Sequence, residues 1–383
     1  MTSARRCAMI VYGTRPEAIK LAPIIAELRA SSEIAAHVVV TGQHRELLDQ
    51  VNRLFGIVAD DDLDISTPRQ SLEQVTGRVL SGLGACLRRV RPDVVVVQGD
   101  TTTAFAAALA AFYERIPVVH VEAGLRTGDL SAPFPEEANR RLTAQLAALH
   151  LAPTPAARAN LIAENIDPER IVVCGNPVID ALIQVAARRA PYDDPALERA
   201  PAPLVLVTAH RRESWGEPMT GIASAVATLA AELPHVSYVI AAHPNPIVRD
   251  VLLPPLVGLA NVVVTEPLPY SQFARLMQES SVILTDSGGI QEEGPSLGKP
   301  VLVMRDSTER PEGVAAGTAR LVGTDERRIV EEVSRLLSDP VAYASMATAV
   351  NPYGDGRAAR RSVRAIEHFL GLGEPPNEFD PLI

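Results

Sequence analysis

Three cysteines in 383 residues, Cys7, Cys86 and Cys174, are odd in number and too far apart for a disulfide framework. They read as buried thiols of a reducing cytosol, and no HExxH or CxxC cluster argues for a metal. No apolar run approaches the roughly 18 residues that a membrane-spanning helix needs. The opening MTSARRCAMIVYG enters a strand pattern at once, without a signal-peptide core or cleavage site. Positive charge is short as well: 36 Lys and Arg stand against 46 Asp and Glu, a net charge of −10. That balance argues against nucleic acid or an anionic membrane as the main partner. Cofactor signatures are also missing. No GxGxxG follows the first strand, no GxxxxGK[ST] loop occurs, and there is no Tyr-x-x-x-Lys pair for NAD-dependent sugar epimerisation. The expectation is a cytoplasmic protein that works without cofactor or metal.

What is present is an alternation. A chain of this length should form two domains of about 150–200 residues. Apolar strand runs at 7–13, 36–41, 93–98, 117–121, 150–153 and 170–175 alternate with helical patterns, and a second series follows at 204–209, 236–242, 261–265, 282–286, 300–304 and 319–323. Such alternation predicts α/β architecture with parallel sheets covered on both faces. The Pro- and Ala-rich stretch ARRAPYDDPALERAPAP is the best linker candidate, and the Pro-rich tail after Gly371 is expected to fray. Two doubly wound domains would set a cleft between the carboxyl ends of their strands, where ligands of open α/β sheets bind.

The polar motifs do follow strands. The most informative is VILTDSGGIQEE, where a strand runs into Asp286-Ser287-Gly288-Gly289 and a helix carrying Glu292 and Glu293. Glycines at such a turn let backbone approach a ligand, and the helix start offers N–H groups and a positive dipole end to an anion. Other strand ends carry Gly13-Thr14-Arg15-Pro16-Glu17 with Lys20, Gly99-Asp100-Thr101, Glu122-Ala123-Gly124, His210-Arg211-Arg212, His243-Pro244-Asn245 and Arg305 through Arg310. Each alone has a plainer reading: Asp100, Thr101, Asp286 or Ser287 as helix caps, Glu122 or Glu136 satisfying a helix start, Arg211-Arg212 as a solvated face. Together they gather cations at strand ends of an acidic chain, which points to an anionic ligand, most simply a diphosphate. Carboxylates beside it suit a polyhydroxy group attached to that phosphate.

The segments GTRPEAIKLAP, TGQHRELLDQV, GDTTT, HVEAGLRTGDL, PFPEEANR, TAHRRES, LTDSGGIQEE, RDSTERPE and NPYGDG, spread from about Cys7 to His368, resemble the non-hydrolysing UDP-N-acetylglucosamine 2-epimerases of bacteria. The resemblance implies two Rossmann-like doubly wound domains in a glycosyltransferase-B-like arrangement. Their bounds would be 1–174 and 175–356, with a C-terminal helix at 357–372 packing back on the first and a tail at 373–383. It further implies a homodimer, no cofactor, UDP and a UDP-N-acetylhexosamine as ligands, and reversible inversion at carbon 2 by elimination of UDP to a 2-acetamidoglucal and re-addition. Asp100, Glu122 and Glu136 become acid/base candidates, with His210 assisting the leaving group. Arg15, Lys20, Ser287, Gly288, Gly289, Glu293 and Arg310 become contacts to the nucleotide, diphosphate or sugar, with Phe273 near uracil. Leu268 stands where some members have Gln.

Bacterial members bind a second substrate molecule that activates them, and the matching positions are Gln43, His44, Arg69, Glu136, Arg211 and His243. Glu46 departs from the Gln of some allosteric members, and a carboxylate near a diphosphate weakens binding unless Arg69 or Arg211 offsets it. Three competing readings are a glycosyltransferase of the same architecture, an epimerase of a modified UDP-hexosamine, and a non-catalytic UDP-sugar sensor, the last disfavoured by the full set of carboxylates. Retaining transferases carry two glutamates eight residues apart, and Glu292 and Glu293 would need partners at Pro300 and Val301, where there are none.

Overall fold

The computed structural model describes residues 5–43, 45–67 and 70–381. Two compact units emerge, one from the chain up to Ala181 together with Tyr353–Pro381, the other from Leu182–Pro352. The first holds seven parallel strands: β1 (Arg6–Tyr12), β2 (Ile34–Val40), β3 (Asp61–Asp62), β4 (Val94–Gln98), β5 (Val118–Val121), β6 (Leu149–Ala152) and β7 (Ile171–Val173), in the order β3-β2-β1-β4-β5-β6-β7. The second holds six parallel strands: β8 (Leu204–Thr208), β9 (Ser237–Ala241), β10 (Val262–Thr265), β11 (Val282–Thr285), β12 (Val301–Val303) and β13 (Ala319–Leu321), ordered β10-β9-β8-β11-β12-β13. In each, strand order reverses beside the first strand, between β1 and β4 and between β8 and β11. Doubly wound sheets bind ligands at that switch point.

Burial explains the long β-branched runs. Every residue of β4 and β5 is buried, as helices cover both faces. The helix Thr102–Tyr113 presents Ala104, Ala107, Ala108 and Ala111 to a core of Met9, Val11, Val95 and Val97. Small side chains there allow close approach of helix and sheet. In the second unit Val205, Val207, Tyr238, Ile240 and Leu284 pack with Ile222, Val226 and Leu229 of the helix Glu217–Glu232. Each fully buried Val or Leu contributes about 1.5–3 kcal/mol.

The C-terminal helix Ala358–Phe369 belongs to the first unit. Asp180 accepts the Ala358 and Ala359 N–H groups at its start, at 3.2 and 2.9 Å, and the Ser31 hydroxyl donates to Glu367 at 2.9 Å. The tail expected to fray has an anchor that its composition conceals. Phe379 is buried beside Val173 and donates its N–H to the Val173 carbonyl at 2.7 Å, and Arg158 pairs with Glu378 at 2.7 Å. Of the cysteines, Cys86 and Cys174 are buried, with burial pushing their thiols up to about 11 and about 12, while Cys7 is only half-buried. No helix among the described residues is long and apolar enough to cross a membrane.

Candidate active site

In the first unit the loop after β1 caps the helix Arg15–Ala30 through a capping box in which Glu17 reaches back to the Gly13 and Thr14 N–H groups at 3.0 and 2.8 Å. Thr101, after β4, donates to the same carboxylate at 2.6 Å, so Glu17 ties the two loops that flank the switch point. Burial pushes the Glu17 carboxyl up, against the pull of these hydrogen bonds. Arg15 opens the helix, half-buried, and Lys20 one turn on meets both oxygens of Glu122 at 2.6 Å.

Glu122 leaves β5 with φ of +61°, a left-handed conformation that costs a non-glycine residue about 1–2 kcal/mol. Strain of this kind persists where surroundings over-determine it. They do so here: besides Lys20, Gln98 Nε2 donates to the carboxylate, and Asn176 Nδ2 donates at 3.0 Å. Asp100, at the end of β4, pairs with Arg140, and its carbonyl accepts Asn139 Nδ2 at 2.9 Å. Glu136 opens the helix Glu136–Leu146 and is half-buried. Its neighbour Glu137 is fully buried, accepts the Thr127 and Gly128 N–H groups, and pairs with Arg140 and Arg141 at 3.2 and 3.0 Å. Arg140 therefore links Asp100 to the base of the loop that leads to Glu136.

In the second unit the helix Gly288–Ser296 starts without a side-chain cap from Ser287. Asp286 is turned elsewhere. It is wholly buried and accepts the His210 and Arg211 N–H groups at 2.7 and 2.8 Å, with His210 Nδ1 3.0 Å from its other oxygen. Burial pushes Asp286 up, but these donors outweigh it and leave the carboxyl below its ordinary value. The capping alternative for Asp286 is thus replaced by a carboxylate that orients a histidine. His210 stacks on His243 at 5.6 Å between centroids, and burial together with His210 lowers the basicity of His243.

Arg211 lies over the helix start: a Cβ on Gly288 would come 3.3 Å from its Nη2. It also pairs with Glu309 at 3.4 Å. Glu292 is buried against Arg310, and Tyr270 donates to Glu293 at 3.4 Å. Phe273 sits half-buried on the helix Tyr270–Glu279. Free N–H groups, the positive end of the helix dipole and the Arg211 guanidinium thus converge at this helix start, which is the chemistry that favours negative charge.

Sequence reasoning gave no role to Gln98 and Asn176, which strand order brings in, nor to Glu137 and Arg140, which lie in the segment PFPEEANR beside Glu136 and reach Asp100 and the 127–128 backbone from the helix Glu136–Leu146. Gln43 accepts the Thr103 hydroxyl at 2.9 Å. His44 and Arg69 lie outside the described residues. One group among the described residues, His37, Asp61 and Cys86, has donors close enough for a metal ion. The guanidinium of Arg89 already sits on Asp61 and 3.5 Å from Cys86 Sγ, which supplies the positive charge an ion would bring.

These features define a doubly wound α/β protein with an uncapped, arginine-covered helix start in one unit and a set of held carboxylates in the other. The UDP-N-acetylglucosamine 2-epimerase family model matches residues 26–367. A UDP-N-acetylglucosamine 2-epimerase of Salmonella typhimurium is 53% identical over 369 residues, covering 94% of this chain and 98% of that one; the enzyme of Escherichia coli K12 is 52% identical over 373 residues, with the same coverage. The structure of UDP-GlcNAc 2-epimerase from Neisseria meningitidis bound to UDP-GlcNAc superposes with a TM-score of 0.83 at 48% identity, over 95% of this chain and all of that one. The chain belongs to the UDP-N-acetylglucosamine 2-epimerase family, and its fold is that of the family.

Proposed function

We propose that this protein interconverts UDP-N-acetylglucosamine and UDP-N-acetylmannosamine, without cofactor or metal. The observation that carries the reading is family membership at about half identity along nearly the whole chain. The hydrogen on carbon 2 of an N-acetylhexosamine is not acidic. Breaking the anomeric carbon–oxygen bond places positive charge beside it, so loss of UDP and of that proton gives a 2-acetamidoglucal. UDP adds back with protonation from the opposite face. This chemistry needs cations on the leaving diphosphate and carboxylates about the sugar.

Asp100, Glu122 and Glu136 serve as the acid/base set, and His210, oriented by Asp286, assists the leaving group. Ser287, Gly288 and Gly289 bind the diphosphate at the helix start, Glu293 the ribose, Phe273 the uracil, Arg310 a sugar hydroxyl or the phosphate region, and Arg15 and Lys20 the nucleotide end or its phosphates. A second substrate molecule at Gln43, His44, Arg69, Glu136, Arg211 and His243 activates the enzyme, more weakly than in members with Gln at position 46. The working unit is a homodimer; exposed Phe112, Tyr113 and Leu142 on the first unit supply apolar surface for it.

The test uses UDP-N-acetylglucosamine alone in heavy water, with chelator and no added nucleotide. Epimeric product carrying deuterium on carbon 2 is expected. Product without exchange at that carbon would falsify the elimination route, and turnover only with an acceptor sugar would make the protein a transferase. Running the same assay on a panel of UDP-hexosamines tests whether a modified ring is preferred.

A further inference from the structure

His120 stands on β5 two residues before Glu122, wholly buried, and the roles given above do not use it. Its Nε2 lies 2.7 Å from the Gly99 carbonyl oxygen. A carbonyl only accepts, so Nε2 carries the proton and Nδ1 is bare. Burial pushes the ring down to about 4, and its cross-strand neighbour His150 on β6 is pushed by burial and by His120 to about 3, so both are neutral near pH 7. His120 Nδ1 has no hydrogen-bond partner among the described residues. A leucine or phenylalanine would fill such a place without stranding a buried acceptor. The imidazole therefore has a task that an apolar side chain could not perform.

The task is visible at the end of β4. Gly99 has φ of +69°, a conformation suited to glycine, and forms the turn that delivers Asp100. Its N–H donates to the Val121 carbonyl at 3.0 Å while its carbonyl accepts from His120, so both polar atoms of Gly99 are tied to β5. The Asp100 carbonyl is in turn held by Asn139. We propose that His120 is a positioning residue: its Nε2–H fixes the peptide between Gly99 and Asp100, and so keeps the Asp100 carboxylate in register with Glu122, two residues along the chain from the imidazole. This rests on the epimerase reading and on Asp100 as an acid/base group.

The experiment compares His120→Leu, which removes the donor, His120→Gln, whose amide nitrogen reaches the Nε2 position, and His120→Asn, which is too short to do so. kcat and KM for UDP-N-acetylglucosamine are measured for each, alone and combined with Asp100→Asn, beside melting temperatures. A misplacement of about an ångström costs roughly 10²-fold in rate. Expected is a loss of that order in kcat for the Leu and Asn variants with KM within about threefold, recovery of most of it by Gln, and little further loss when either defective change is added to Asp100→Asn. Should the Leu variant not fold, the contrast of Asn with Gln carries the same comparison. Equal losses in the Gln and Asn variants, losses that multiply with Asp100→Asn, or unchanged kcat in a folded Leu variant would overturn the assignment. A wild-type enzyme that does not epimerise overturns the functional reading and this one with it, whereas turnover with multiplying losses overturns only the role of His120.

Discussion

Glu122 combines a strained backbone with a crowd of donors, and that combination sets the expectation for its substitution. Glu122→Gln keeps the shape, removes the charge facing Lys20, and forces an amide among donors that need an acceptor. Turnover in Asp100→Asn, Glu122→Gln and Glu136→Gln should each fall by roughly 10²–10⁴-fold, the range for a positioned acid or base. Binding of UDP, measured by calorimetry, should survive in all three. Near-normal turnover in the whole set would remove these residues from the chemistry. Velocity against substrate should be sigmoidal, and Arg69→Ala should make it hyperbolic while leaving the carboxylates in place; hyperbolic wild-type kinetics in both directions would exclude the activating site. Asp100 and Glu122 were legible because each follows a buried strand next to glycine or alanine-glycine. Gln98, Asn176 and Arg140 were not, since only the folded strand order shows which distant residues reach these carboxylates.

At the scale of elements, the twelve strands other than β3 could be read from their apolar runs, with ends within about two residues of those observed. β3 could not: Asp61–Asp62 is a two-residue acidic edge strand whose pairing comes from β2. Short, charged edge strands resist pairing with another chain, and that composition removes the hydrophobic signal on which such a reading depends. The segment from Thr127 to Glu137 is another element that periodicity leaves blank. Its order depends on the buried Glu137 carboxylate, which binds two loop N–H groups and two arginines. Glu137→Ala should therefore destabilise the protein by on the order of 3 kcal/mol, as expected when one member of a buried ionic cluster is removed. It should also lower kcat by freeing Arg140 from the geometry in which it holds Asp100. A melting temperature within a degree of wild type would refute the staple.

At the scale of the whole molecule, the buried titratable groups predict the response to acid. His120 and His150 have folded-state values near 4 and 3, below the usual 6.5, so the stability they bring is present above about pH 6.5 and is lost as pH falls toward 4. Asp180 runs the other way. Burial raises it to about 6, so its contribution is full below about pH 4 and is lost as pH rises through 6. A tenfold difference in proton affinity between folded and unfolded chain is worth about 1.4 kcal/mol; Glu17, also pushed up by burial, adds to the slope of Asp180, while Asp286, held below its ordinary value by its donors, adds to that of the two larger histidine shifts. Melting temperature should fall between pH 7 and 4.5, and Asp180→Asn should make that fall steeper by removing the opposing slope. A shallower fall in the variant would contradict the assignment.

The first unit is assembled from two separated stretches of chain, with the whole of the second unit lying between them in sequence. Synthesis proceeds from the amino end, and domains generally fold as they emerge. This unit, although its strands appear first, cannot close over Ile366 and Val363, nor give Asp180 the N–H groups of Ala358 and Ala359, until the ribosome has made nearly everything else. The second unit, by contrast, is contiguous and has all its strands before Tyr353. The unit that holds Asp100 and Glu122 is thus begun first and completed last, so a nascent chain acquires the helix start at Gly288 before the unit carrying those carboxylates is closed by its last helix.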